Sequence, residues 1–221
     1  MSLGVWRVMM SSIKELLLGT AAALLFLGSV SITQADEVAS AANPEHGGKI
    51  AYTCFGCHGI TNYRTSYPVN YHVPKIGGQR AAYMVAALAE YRAGARAHAT
   101  MKAQASSLST SDVRDIAAYF ATAQPLASAG TPIGVAPASA QVCTSCHGQT
   151  GIGLTEDYPT LAGQHPDYIE QALKAYRKGS RQNAIMNSFA ATLKDDDIRA
   201  IAKYFAAQQP SLWVPKAPHG P

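Results

Sequence analysis

The sequence predicts an all-α protein built as two tandem copies of one helical unit. Three observations predict it. Sliding the 221-residue chain by 85 positions aligns residues 74–125 with 159–210 without a gap, and 23 of those 52 positions are identical. A five-residue motif occurs twice, as Cys54-Phe-Gly-Cys57-His58 and Cys143-Thr-Ser-Cys146-His147, and uses all four cysteines. Apolar residues recur at helical spacing in matched segments of both copies, while no segment shows the alternation of a strand.

Taken in chain order, residues 1–35 read as an export leader. Arg7 and Lys14 make a positive start, Leu16 to Val30 is an apolar run, and Thr33-Gln34-Ala35 places small residues before a cut at Asp36. The run is short for a bilayer span, which needs roughly 20 apolar residues. An uncleaved anchor is the alternative, and it would face the same compartment. The first unit is expected over 36–127, with a short helix from Gly47 to Thr53 leading into the first motif. Arg80 to Ala93 follows as a helix that ends at Gly94, where a left-handed residue costs least. Asp112 to Ala123 is the last helix, and Ser109 with Asp112 has the spacing of a capping box. Residues 128–132 read as linker. The second unit, 133–221, repeats the plan. His165 to Lys178 ends at Gly179, and Asp195 to Gln208 starts on three aspartates that suit a helix N-terminus. Pro137 leaves little room for a helix before Cys143. Each unit is about 90 residues, small for a self-sufficient core, so a bound group must supply part of it.

The motif names that group. Two thiols one turn apart can reach the two vinyl groups of one porphyrin, and a histidine directly after the second thiol can bind the iron, which makes Cys-x-x-Cys-His the attachment site of a covalent c-type haem. Cys54 with Cys57, and Cys143 with Cys146, are therefore the candidate attachment points of two haems, and His58 and His147 the candidate iron ligands. The competing readings explain less. A single zinc site would hold its cysteine pairs closer than the 89 residues from Cys54 to Cys143. A redox dithiol or a disulfide calls for no histidine at that position.

The haem motifs repeat at 89 residues and the rest at 85, so the first unit carries four extra residues. They fall in the segment Tyr63 to His72, which holds Tyr63, Tyr67 and Tyr71. Past the leader the methionines are Met84, Met101 and Met186. Met84 aligns with Ile169 on an apolar helical face and reads as core. Met101 and Met186 are matched, lie 43 and 39 residues after His58 and His147 in an expected non-helical stretch, and are the candidate second axial ligands, since a thioether suits haem iron. Of the rival histidines, His98 aligns with Asn183 and His165 with Arg80, and His72 lies within the extra segment. None is matched between units. His46 and His219 sit near the chain ends and are expected in solvent.

Lys and Arg exceed Asp and Glu by 18 to 14. That balance is too mild for nucleic-acid binding, and no basic stripe with interleaved aromatics exists. Charge can still orient a redox partner.

Pro159-Thr160-Leu161-Ala162-Gly163-Gln164, Tyr176-Arg177-Lys178-Gly179-Ser180-Arg181 and Met186, with Pro74-Lys75-Ile76-Gly77-Gly78-Gln79, Tyr91-Arg92-Ala93-Gly94-Ala95-Arg96 and Met101, resemble the dihaem cytochrome c4 family, a tandem of class I cytochrome c units. The resemblance implies two domains packed about a pseudo-twofold axis, each around one haem. It implies that Pro74 and Pro159 offer carbonyls to the ring N–H of His58 and His147, and that Tyr91, Arg92, Tyr176 or Arg177 reach haem propionates. It further implies a monomeric periplasmic electron carrier that works by outer-sphere transfer between a respiratory donor, such as a quinol-oxidising complex or dehydrogenase, and a terminal oxidase or similar acceptor. A cytochrome subunit of a dehydrogenase or oxidase complex is the alternative. A dihaem enzyme such as a peroxidase would need an open or labile iron position, and a haem sensor would need a signalling module.

Overall fold

A computed structural model describes residues 41–66, 68–122 and 130–217. The expected leader, residues 123–129 with the start of the linker, Tyr67 and His219 lie outside them. Among the described residues the secondary structure is helical, with only isolated β-bridges between extended segments. No helix among them is long and apolar enough to cross a membrane.

In the first half α1 spans Pro44–Ile50 and α2 Tyr52–His58, α3 spans Ala81–Ala93, α4 Ala99–Ser106 and α5 Thr110–Thr122. The second half has a 3-10 turn at Ala138–Ala140, then α6 at Thr144–His147, α7 at Pro166–Lys178, α8 at Ala184–Ala191 and α9 at Asp195–Ala206. The single helix expected to lead into the first motif is two, because Ala51 breaks it at φ −75° and ψ 4°. Before the second motif Pro137 allows only the 3-10 turn. α1 is anchored on α5: Asn43 N–H donates to Asp115 Oδ1 at 2.7 Å, and His46 Nδ1 lies 2.8 Å from Asp115 Oδ2. His46 is half-exposed, as expected, but it is paired.

The caps follow the sequence closely. Ser109 N–H donates to Asp112 Oδ2 at 2.9 Å and Asp112 N–H to Ser109 Oγ at 3.1 Å, a complete capping box on α5. At the matched site Lys194 N–H donates to Asp197 Oδ2 at 3.2 Å, so one arm of the box survives the change of Ser to Lys. Gly94 and Gly179 end α3 and α7 at φ +80° and +74°.

Each half has its own core. Met84, Ile116, Ala117 and Phe120 pack with Phe55 in the first, and Ile169, Ile201, Ala202 and Phe205 occupy the matched positions in the second. Between them lies a pseudo-twofold contact. Ala97 N–H donates to Ser180 O at 2.9 Å and Gln182 N–H to Ala95 O at 2.7 Å, a bridge centred on Arg96 and Arg181. Each bond is the other's image under the 85-residue repeat.

Two features break this symmetry. The extra segment of the first half folds back through an Arg64–His72 bridge and reaches the second half. There His72 Nδ1 lies 2.8 Å from Asp167 Oδ2, Arg64 is 3.1 Å from the same oxygen, and the His72 ring stacks on His165 with centroids 4.6 Å apart. The tail returns from the second half to the first: Trp213 N–H donates to Gly77 O at 3.1 Å and Gly77 N–H to Trp213 O at 3.2 Å. The indole lies over Gly77 and Gly78.

Two stability predictions arise here. Gly78 has φ +78°, and a Cβ there would lie 2.2 Å from Trp213 Cζ3 and 2.5 Å from Ser211 O. Gly179 has φ +74° with open space around it. Gly179→Ala is expected to cost only the left-handed backbone penalty, about 1–2 kcal/mol. Gly78→Ala adds a backbone clash and is expected to cost at least about 3 kcal/mol, read as the larger fall in thermal midpoint of the haem-loaded protein. The second concerns pH. Burial first, then the Lys75 ammonium and His72, push the His165 ring down to about 4 from an ordinary 6.5. Between those values the unfolded ring carries a proton that the folded ring does not. Stability is therefore expected to fall as pH drops from about 6.5 towards 4, and His165→Gln to flatten that part of a denaturant-midpoint profile.

Candidate functional site

The two Cys-x-x-Cys-His motifs sit on α2 and α6, each directly before a turn. At i, i+3 and i+4, the two cysteines and the histidine of each motif share one helical face. All four thiols are unbridged and partly buried. Among the described residues no three His, Cys, Asp or Glu side chains converge on a point, so the two cysteine pairs do not form one tetrahedral metal site. Burial pushes the Cys54 and Cys143 thiols up, away from the thiolate that dithiol exchange needs.

Both histidines have one fixed hydrogen bond. His58 Nδ1 lies 2.8 Å from Pro74 O, and His147 Nδ1 lies 3.0 Å from Pro159 O. A carbonyl can only accept, so Nδ1 carries the proton in both rings and the Nε2 lone pair is left for a metal. Burial holds both rings below the ordinary histidine pKa, against the opposing pull of the carbonyl bond. Each imidazole is thus neutral, oriented and of the tautomer a ligand needs.

Met101 and Met186 are the third residues of α4 and α8, not members of a non-helical stretch as the sequence reading has it. Each backbone N–H is taken by the capping side chain of its helix. Met101 N–H donates to His98 Nδ1 at 3.2 Å, and Met186 N–H to Asn183 Oδ1 at 3.0 Å. His98 and Asn183, unlike in sequence, share one capping role. The short helices escape a periodicity reading because eight residues give barely two turns of pattern. The surface beside the methionines differs between halves. Ile185 and Phe189 stand exposed around Met186, where the first half has Thr100 and Gln104.

The residues expected to reach propionates do other work. Arg92 donates to Ala105 O at 3.0 and 3.2 Å and to Leu108 O at 2.7 Å and so clips the carbonyl end of α4, while Arg177 donates to Leu193 O at 2.8 Å and Asp195 at 2.6 Å and so ties down the turn from α8 into α9. Tyr91 and Tyr176 are buried under Arg96 and Arg181, whose guanidinium carbons lie 4.5 and 4.4 Å from the ring centroids. These two arginines, which the sequence marks only as a matched pair, are 7% and 5% exposed. Arg96 donates to Tyr168 Oη at 2.5 Å and Arg181 to Tyr83 Oη at 2.7 Å, each across the pseudo-twofold. Neither pairs with a carboxylate among the described residues, and Arg181 Nε is buried without a partner.

That arrangement tests whether haem fits. Two permanent cations in a protein interior favour anions beside them; among the described residues neither arginine has an ion-paired carboxylate, and Glu90 acts on the cluster only through space. A porphyrin carrying two carboxylates in each half would supply them. Together with free paired thiols and two ligand-ready imidazoles, the residues fit one covalent haem per half.

Comparison with known proteins agrees. Residues 136–205 match the family model described as cytochrome c oxidase, cbb3-type, subunit III. The chain is 33% identical over 197 residues to cytochrome c4 of Pseudomonas aeruginosa, covering 82% of this chain and 94% of that one. It is 31% identical to a thiosulfate dehydrogenase electron acceptor of Thiomonas intermedia, over 76% of this chain and 82% of that one. The structure of cytochrome c4 from Acidithiobacillus ferrooxidans superposes with a TM-score of 0.57 at 30% identity, over 72% of this chain and 99% of that one.

Removing the tyrosine hydroxyls tests the crossed arginine contacts. Tyr83→Phe and Tyr168→Phe are each expected to destabilise the protein by about 2 kcal/mol, since each strips a charge-assisted hydrogen bond from a buried guanidinium. Denaturant unfolding of the two variants checks it, and a surface tyrosine such as Tyr52 serves as the silent control.

Proposed function

The chain belongs to the cytochrome c4 family, and from that premise we propose that it is a periplasmic electron carrier whose two haems are each held between a histidine and a methionine. It binds two covalent c-type haems and transfers electrons between redox partners. When bound, each haem supplies an iron that cycles between Fe(II) and Fe(III). In this reading Cys54 and Cys57 anchor the first and Cys143 and Cys146 the second. His58 and Met101 would hold the first iron and His147 and Met186 the second, which would leave no open position for a substrate. Pro74 and Pro159 hold the histidine rings. Arg96 and Arg181 would supply positive charge to haem propionates. The observation that carries the reading is the pair of imidazoles, His147 buried and His58 partly so, whose Nδ1 protons are committed to Pro74 O and Pro159 O, which leaves Nε2 for an iron.

The donor and acceptor are taken to be a respiratory dehydrogenase or quinol-oxidising complex and a terminal oxidase. The relative from Thiomonas favours a second, narrower reading, in which this chain accepts electrons from a sulfur-compound dehydrogenase, as a free carrier or as its subunit. Size-exclusion chromatography of unfractionated periplasm separates carrier from subunit: a carrier elutes at the size of one chain.

Methionine ligation has a direct readout. Met101→Ala and Met186→Ala are each expected to remove the near-red methionine–iron absorption of one haem and to lower that haem's potential, because a thioether stabilises Fe(II). Persistence of the full band in both variants overturns the ligand assignment.

A further inference from the structure

Pro74 O and Lys75 N–H are the two ends of a single planar peptide group. The oxygen end lies 2.8 Å from His58 Nδ1. The nitrogen end donates to Gln164 Oε1, in the other half, at 3.0 Å. Gln164 Nε2 returns a bond to Lys75 O at 2.9 Å, so the glutamine grips the segment from both sides. The mirror arrangement holds in the second half. Pro159 O lies 3.0 Å from His147 Nδ1, Thr160 N–H donates to Gln79 Oε1 at 2.9 Å, and Gln79 Nε2 donates to Thr160 O at 3.0 Å.

Both glutamines are buried, at 6% and 4% exposure. Their remaining acceptor capacity is spent at home: Gln79 Oε1 also takes Arg80 N–H at 2.9 Å, and Gln164 Oε1 takes His165 N–H at 3.0 Å. Each glutamine is therefore fixed to the start of the long helix of its own half while it holds the histidine-bearing peptide of the other. An isolated packing role would call for none of this crossing.

We propose that Gln79 and Gln164 are positioning residues that act in trans, each setting the hydrogen bond on the axial histidine of the opposite half and so the potential of the opposite haem. The proposal rests on the reading that His58 and His147 bind iron. Hydrogen bonds in a chain polarise one another. A peptide group that donates through N–H to Gln164 is a better acceptor at its oxygen. A better acceptor draws the Nδ1 proton of His58, makes the ring a stronger donor to iron and favours Fe(III). Loss of the glutamine reverses this and raises the potential. The effect crosses the interface: Gln164 governs the haem of Cys54 and Cys57, and Gln79 that of Cys143 and Cys146.

The test uses haem-loaded full-length protein with Gln79→Met and Gln164→Met, and follows assigned haem methyl resonances through a redox titration. In Gln164→Met the first haem is expected to shift about twofold in its reduction equilibrium constant, about 18 mV upward at 59 mV per decade, with the second unchanged; Gln79→Met is expected to do the converse. Faster exchange of the ring N–H should appear on the opposite half only. A shift of the haem in the same half, equal shifts of both, or none overturns the proposal. Should either variant fail to accumulate, the unmodified reduced protein still decides. A through-hydrogen-bond coupling from Lys75 15N to Gln164 13Cδ is expected, and its absence overturns the clamp. A failed ligand assignment looks different, because His58→Ala or His147→Ala would then leave that half's low-spin spectrum intact whatever the glutamines do.

Discussion

An imidazole can give Nε2 to a metal only when its other nitrogen has settled its proton, and in this protein a proline carbonyl settles it in both halves. Much of the surrounding structure serves that bond. Proline has no N–H and a fixed φ, so the carbonyl before the next peptide is presented without a competing donor at the same residue. The segment after it turns through a glycine with positive φ into the long helix. The cysteines on the preceding helix then carry the histidine to the place where the carbonyl waits. The methionine helix packs back from the far end of the long helix, with Arg92 clipping its end in the first half and Arg177 holding the turn that follows it in the second.

The duplication gives two such assemblies, and the contact between them is more than apolar packing. Arg96 and Arg181, Tyr83 and Tyr168, and Gln79 and Gln164 all reach across in matched pairs. Two buried guanidinium groups without ion-paired carboxylates stand in this interface, each over a tyrosine ring. Docking of the two halves thus runs through the same side chains that stand beside the buried guanidinium groups.

The halves are not equal. The Arg64–His72 excursion lets the first half grip Asp167 and His165, and the Trp213 tail lets the second half cover Gly77 and Gly78. Around the methionines the first half is polar and the second exposes Ile185 and Phe189. A symmetric scaffold with unequal coverings is a direct route to two haems that differ in surroundings.

Local chemistry was readable from the chain alone. The thiol spacing, the histidine that follows it, the capping box at Ser109 and the glycine stops at Gly94 and Gly179 each involve residues within a few turns of one another, and stereochemistry confines them to one outcome. Their periodicity failed only where an element is too short to show one, as in the helices that bear Met101 and Met186. What tertiary structure decided is who meets whom over long separations. Gln79 finds the peptide of Thr160, Arg96 finds Tyr168, His72 finds Asp167 and Trp213 finds Gly77, while Arg92 and Arg177 turn to nearby carbonyls. No local preference encodes such pairings, because they depend on how two finished halves present their surfaces, and that is a property of the packed chain.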